Sequence, residues 1–154
     1  MYRFISGISA ILIILTSSLM FSVPARAATS SLGVRDGHLS PCPPSPNCVV
    51  SQNGDDKHSI EPITYSGDRA SARESLLKVL SVVPRTEVVE QTDNYIHTEF
   101  KSRIFKFVDD GEFYLPQDEK VIHLRSAARQ GESDLGVNRR RIEQIRLALE
   151  DLEI

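Results

Sequence analysis

The sequence predicts an α+β domain: a single antiparallel sheet with both helices packed on one of its faces. Three observations point there. Residues 68–83 and 133–152 each carry an apolar stripe at helical spacing. Between them lie four segments rich in β-branched and aromatic residues, separated by short polar turns. Ahead of both helices sits a stretch rich in Ser, Pro, Gly and Asp that holds the chain's 2 cysteines. The order is strand, helix, four strands, helix, behind an extended N-terminal arm.

The chain opens with Arg3, an apolar run from Phe4 to Val23, and Ala25-Arg26-Ala27 before Ala28. Charge, apolar run and small residues at the cut are the marks of a secretory signal peptide, assigned to residues 1–27. Ser6, Gly7, Ser9, Thr16, Ser17, Ser18 and Ser22 dilute the run, so no membrane span is expected after cleavage. Removing Arg3 and Arg26 leaves 16 basic residues against 21 acidic ones, a net charge of −5. An acidic exported domain without tryptophan is a poor nucleic-acid binder, and that partner class is set aside.

Residues 28–57 read as the extended arm, and 58–154 as the α+β domain. Cys42 and Cys48 stand alone and close together, which outside the cytoplasm is most simply a disulfide pinning the arm. A metal site would want more soft ligands nearby, and a redox pair usually has two intervening residues.

Residues 59–65 form a short strand, placed at an edge by Pro62. Asp68 caps a helix whose stripe is Ala72, Leu76, Val79, Leu80 and Val83, and Pro84 ends it. Strands follow at 86–91, 95–101, 104–115 and 121–129, with turns at 92–94 and 116–120. The last helix starts at Ser133 or Asp134, with the stripe Leu135, Ile142, Ile145, Leu149 and Leu152.

Polar residues concentrate between Phe105 and Arg141. Pairing Leu115 with Val121 sets Phe113 opposite His123, Gly111 opposite Arg125 and Asp109 opposite Ala127. Asp109 then lies diagonal to Arg125 and Arg129 on one face, Gly111 leaves room for an arginine stem, and Asp110 takes the other face. Asp109 shares parity with Phe105, Phe107 and Phe113, so partial burial and an ionic partner are expected.

Three segments carry a resemblance: CPPSPNCVVS at 42–51, FKFVDDGEF at 105–113, and RSAARQGESDLGVNRRR at 125–141. In that order they resemble the bacterial and plastid family called domain of unknown function 1499, across nearly the whole mature chain. Ala128 stands where the family usually has serine, and Gly111 where it usually has a larger apolar residue. The resemblance implies no reaction, so the residues are weighed on their chemistry.

Asp109, Asp110 and Glu112 have the donor chemistry of a hard-metal site or an acid/base pair, the basis of an alternative reading as a small hydrolase or metal-dependent enzyme. Arg125, Arg129, Arg139 and Arg141, with Ser126, Ser133, Asp134 and Asn138 around the start of the last helix, have the chemistry of an anion site. The favoured expectation is an internal ion-pair network, with no catalytic residue, metal or cofactor. His97 and His123 have no second ligand at metal-like spacing, Ser126 and Ser133 have no nearby base, and 139–141 read as a solvated basic face. The sequence thus points to an exported protein of the periplasm, or of the thylakoid lumen if the source is photosynthetic. It would be a soluble binding or assembly module for a protein or a small anionic or lipid-like ligand.

Overall fold

The computed structural model describes residues 32–154. The signal peptide expected at 1–27, and the first residues of the arm, lie outside the described residues. The elements run β1 (Cys48–Val50), β2 (Ile63–Thr64), α1 (Arg69–Val82), β3 (Thr86–Gln91), β4 (Tyr95–Lys101), β5 (Val108–Tyr114), β6 (Val121–Ala128) and α2 (Val137–Glu150).

All strands join one antiparallel sheet in the order β1-β6-β5-β4-β3, and β2 pairs with β6 beyond β1. The expected strand, helix, four strands, helix order is present. The arm adds a strand of its own, because β1 pairs Cys48 with Ala127, Val49 with Ser126 and Val50 with Arg125. A disulfide joins Cys42 to Cys48 and anchors the arm at the start of that strand.

Side chains alternate across a strand, so the sheet has two faces. One carries Ile96, Phe100, Phe113, Ile122 and Leu124, and both helices pack on it through Leu76, Val79, Leu80, Ile142, Ile145 and Leu149, all buried. Asp68 caps α1 by accepting from the Ser71 N–H at 2.9 Å. The last helix begins later than expected. Leu135 and Gly136 both have positive φ, which delays the helix to Val137, while Asp134 accepts from the Asn138 N–H at 2.7 Å. Leu135 is consequently left exposed, and Leu152, beyond the end of α2, is exposed as well, so neither joins the stripe.

The third long strand is shorter than expected. Residues 102–107 form a turn, closed by the Ser102 N–H donating to the Phe107 carbonyl at 2.8 Å, so Ile104, Phe105 and Phe107 leave the sheet and face solvent. The register of β5 on β6 also differs by one residue. Asp109 pairs with Ala128, Asp110 with Ala127, Gly111 with Ser126 and Glu112 with Arg125. A one-residue slip reverses which face a side chain joins relative to its partners. Asp109 is therefore on the helix face and Arg125 on the other. Arg125, expected beside Gly111, pairs with Glu112 instead and lies on the opposite face from Gly111. A side-chain carbon on Gly111 would overlap the Phe100 ring and meet the Thr98 hydroxyl at 2.6 Å. Among the described residues no helix is long and apolar enough to cross a membrane.

Candidate functional site

The charged residues singled out in the sequence fall into three adjoining groups, two on the face away from the helices and one beneath α2. The first centres on Glu112. Its β-strand position directly opposite Arg125 lets the two side chains meet at 2.9 Å, with both fully buried. The other carboxylate oxygen accepts from the Tyr95 hydroxyl at 2.9 Å and from the Gly33 N–H at 2.7 Å. Gly33 belongs to the arm, so the arm crosses this face and shields the pair from water. Burial, followed by the neighbouring Glu112 charge, pushes the Tyr95 hydroxyl far above its ordinary range. Arg125 Nε has no hydrogen-bond partner among the described residues.

The second group is one pair further along. Arg129 grips Asp110 with two bonds, Nε at 2.9 Å and Nη2 at 2.7 Å, and also reaches Glu99 at 2.6 Å. His97 Nε2 lies 2.7 Å from the same carboxylate. Burial pushes the Asp110 carboxyl up, but the bonds from His97 and Arg129 outweigh it and hold its pKa at about 2. The hydrogen bond to Asp110 likewise raises Arg129 above the usual guanidinium range.

The third group lies beneath α2. Arg141 donates to Asp109 at 2.7 Å and to the Asn138 amide oxygen at 2.8 Å, and its guanidinium lies 4.3 Å over the Phe100 ring. Asn138 is buried. Its oxygen also accepts from the Ser126 hydroxyl at 2.5 Å, and its amide nitrogen donates to Asp134 at 2.8 Å and to the Asn47 carbonyl at 3.1 Å. Asn47 in turn donates to the Gly131 carbonyl at 2.5 Å. Cysteine loop, β6 end and helix start are thereby tied at one buried amide.

Asp109 thus meets neither Arg125 nor Arg129, contrary to expectation; each acid has its own arginine. Arg139 and Ser133 stand apart. Arg139 donates to the Lys57 carbonyl at 3.1 Å, and Ser133 is exposed and accepts from the Leu135 N–H at 3.2 Å. Sequence reasoning missed Asn47, Tyr95, Glu99 and Gly33, and set His97 aside. Asn47 lay inside a motif already singled out, whereas the others sit far along the chain from their partners and carry no local signal.

A family model described as "Protein of unknown function (DUF1499)" matches residues 38–149. The chain belongs to the DUF1499 family. No curated protein and no solved structure matches it. The three motifs that carry the DUF1499 resemblance are the segments whose side chains meet here: Asn47 from the first, Asp109, Asp110 and Glu112 from the second, and Arg125, Ser126, Arg129, Asp134, Asn138 and Arg141 from the third. In chemical terms the arrangement saturates its acids. Among the described residues no three His, Cys, Asp or Glu side chains come together as a metal-holding group. Two surface concavities, both lined by Tyr65, Gly67 and Asp68, share no residue with these groups.

Proposed function

We propose that this protein is an exported, extracytoplasmic binding or assembly module without catalysis, in which the acid–arginine groups are fasteners that hold the arm and α2 to the sheet. The observation that carries the reading is the matching of Asp109, Asp110 and Glu112, one by one, with Arg141, Arg129 and Arg125. A general base must reach the proton it abstracts. Glu112 has its oxygens engaged by Arg125, Tyr95 and Gly33 under the arm, and Asp110 has both oxygens held by Arg129. A buried charge of this kind is retained when it is paired and hydrogen-bonded.

Export is supported by the leader-like first 27 residues and by a disulfide, a bond that persists in oxidising compartments. The partner is a protein or a small anionic or lipid-like ligand, since the acidic balance of the chain disfavours nucleic acid. The deciding experiment is equilibrium unfolding of Asp110→Asn and Glu112→Gln, combined with intact mass and thiol alkylation of protein recovered from its own compartment. Fasteners predict large losses of stability, and export predicts a mass lacking residues 1–27 and no alkylatable thiol. Unchanged unfolding midpoints would instead make the acids the first place to look for chemistry.

A further inference from the structure

The turn at 102–107 is built from Ser-Arg-Ile-Phe-Lys-Phe and stands at the end of the β4–β5 hairpin. It is a fixed structure. Beyond the Ser102 to Phe107 backbone bond, the Ser102 hydroxyl accepts from the Phe107 N–H at 2.9 Å. Yet its large apolar side chains stay outside the buried core. Ile104 is 78 %, Phe105 73 % and Phe107 49 % exposed, and the two rings stack on each other with centroids 5.5 Å apart. Single exposed apolar residues are ordinary, but three within four positions at one hairpin end are not.

The charge at the tip is equally specific. Among the described residues Arg103 and Lys106 have no ion-pair partner. At its base Arg85 donates to the Lys101 carbonyl at 3.1 Å, while Lys101 itself is taken by Glu87 at 2.8 Å. Two uncompensated cations thus alternate with three apolar side chains on a chain that is otherwise acidic. Apolar side chains that enter the acyl boundary, with cations level with the headgroups, are the recognition chemistry of an anionic bilayer surface. A second copy of this chain is disfavoured at the same tip, because it would bring Arg103 and Lys106 against their own counterparts.

We propose that the 102–107 tip docks this protein onto an anionic lipid surface, with Ile104, Phe105 and Phe107 entering the interface and Arg103 and Lys106 binding the headgroups. This names a partner for the binding module but uses none of the fastener side chains, so either reading can fail alone.

The chain has no tryptophan, so Phe105→Trp supplies a single reporter at the tip. With phosphatidylglycerol-containing vesicles its emission should move to shorter wavelength and be quenched by brominated acyl chains, with neither effect on phosphatidylcholine alone. Adding Arg103→Gln and Lys106→Gln should weaken the partition about 25-fold, roughly fivefold per cation near an anionic surface. The control is Leu147→Trp, on the exposed side of α2. An unmoved Phe105→Trp spectrum overturns the proposal, as does an equal shift at Leu147→Trp, which would mean attachment elsewhere on the chain. A vesicle-independent shift that grows with protein concentration would assign the tip to self-association and overturn it too. Unfolding of Glu112→Gln reports on the fasteners separately.

Discussion

Glu112 and Arg125 face each other across the β5–β6 ladder, 2.9 Å apart and sealed from solvent. Breaking such a pair leaves a buried charge uncompensated, which costs about 3–5 kcal/mol. A domain of this size holds only about 5–15 kcal/mol in all. Glu112→Gln should therefore lower the urea midpoint severely. The comparison is Glu119→Gln, whose side chain is 62 % exposed and which should move it little. Equal midpoints for the two variants would remove the fastener reading.

Asp109 and Arg141 are less enclosed, at 13 % and 15 % side-chain exposure. Arg141 also keeps Asn138 and the Phe100 ring if the carboxylate is lost. Asp109→Asn is expected to cost about 1–3 kcal/mol, between the exposed and buried limits. A midpoint equal to the parent's would show that this pair adds nothing to stability.

Acid should act through Asp110. Its carboxyl is held at about 2 in the folded chain against an ordinary value of 3.8. A lowered folded pKa contributes stability that is complete above the unfolded value and is lost as pH falls through the folded one. The contribution is about 2 kcal/mol. Parent and Asp110→Asn should differ most above pH 5 and converge as pH approaches about 2. A gap that stays constant across that range contradicts the assignment.

Reducing the Cys42–Cys48 bond, or replacing both residues with alanine, releases the chain just before β1. The cost expected for so short a loop is roughly 2 kcal/mol. Amide exchange should rise first at Val50, whose N–H donates to the His58 carbonyl at 2.9 Å. Uniform acceleration across the sheet, with no early change at β1, would mean that the bond does not hold the arm locally.

Most of the architecture could be read from hydrophobic periodicity, because α1 and β4 each bury a regular face on one core. The register could not. Alternation fixes register when one face is polar and wet. Here the second face is buried as well, as Tyr95, His97, Asp110, Glu112 and Arg125 show. Both parities of β5 therefore looked suitable for the core, and the expected pairing came out one residue away. The cluster's membership was legible from its motifs, but its pairing was not. Glu112 needs Gly33, 79 residues away, and Asn138 needs Asn47, 91 residues away. The exposure of Phe105 and Phe107 was hidden for the opposite reason: their alternation imitates a strand, while Ser102 closes a turn around them.

Gly111 and Phe100 occupy what is in effect a single volume, since a methyl group on the one would overlap the ring of the other. The two positions are therefore not free to drift separately. Where a relative carries a larger apolar residue in place of Gly111, its counterpart of Phe100 should have shrunk to make way. A lineage passing between the two states would more easily shorten the ring first and enlarge the glycine second, since the reverse order runs through a protein whose Phe100 ring is forced out of its place.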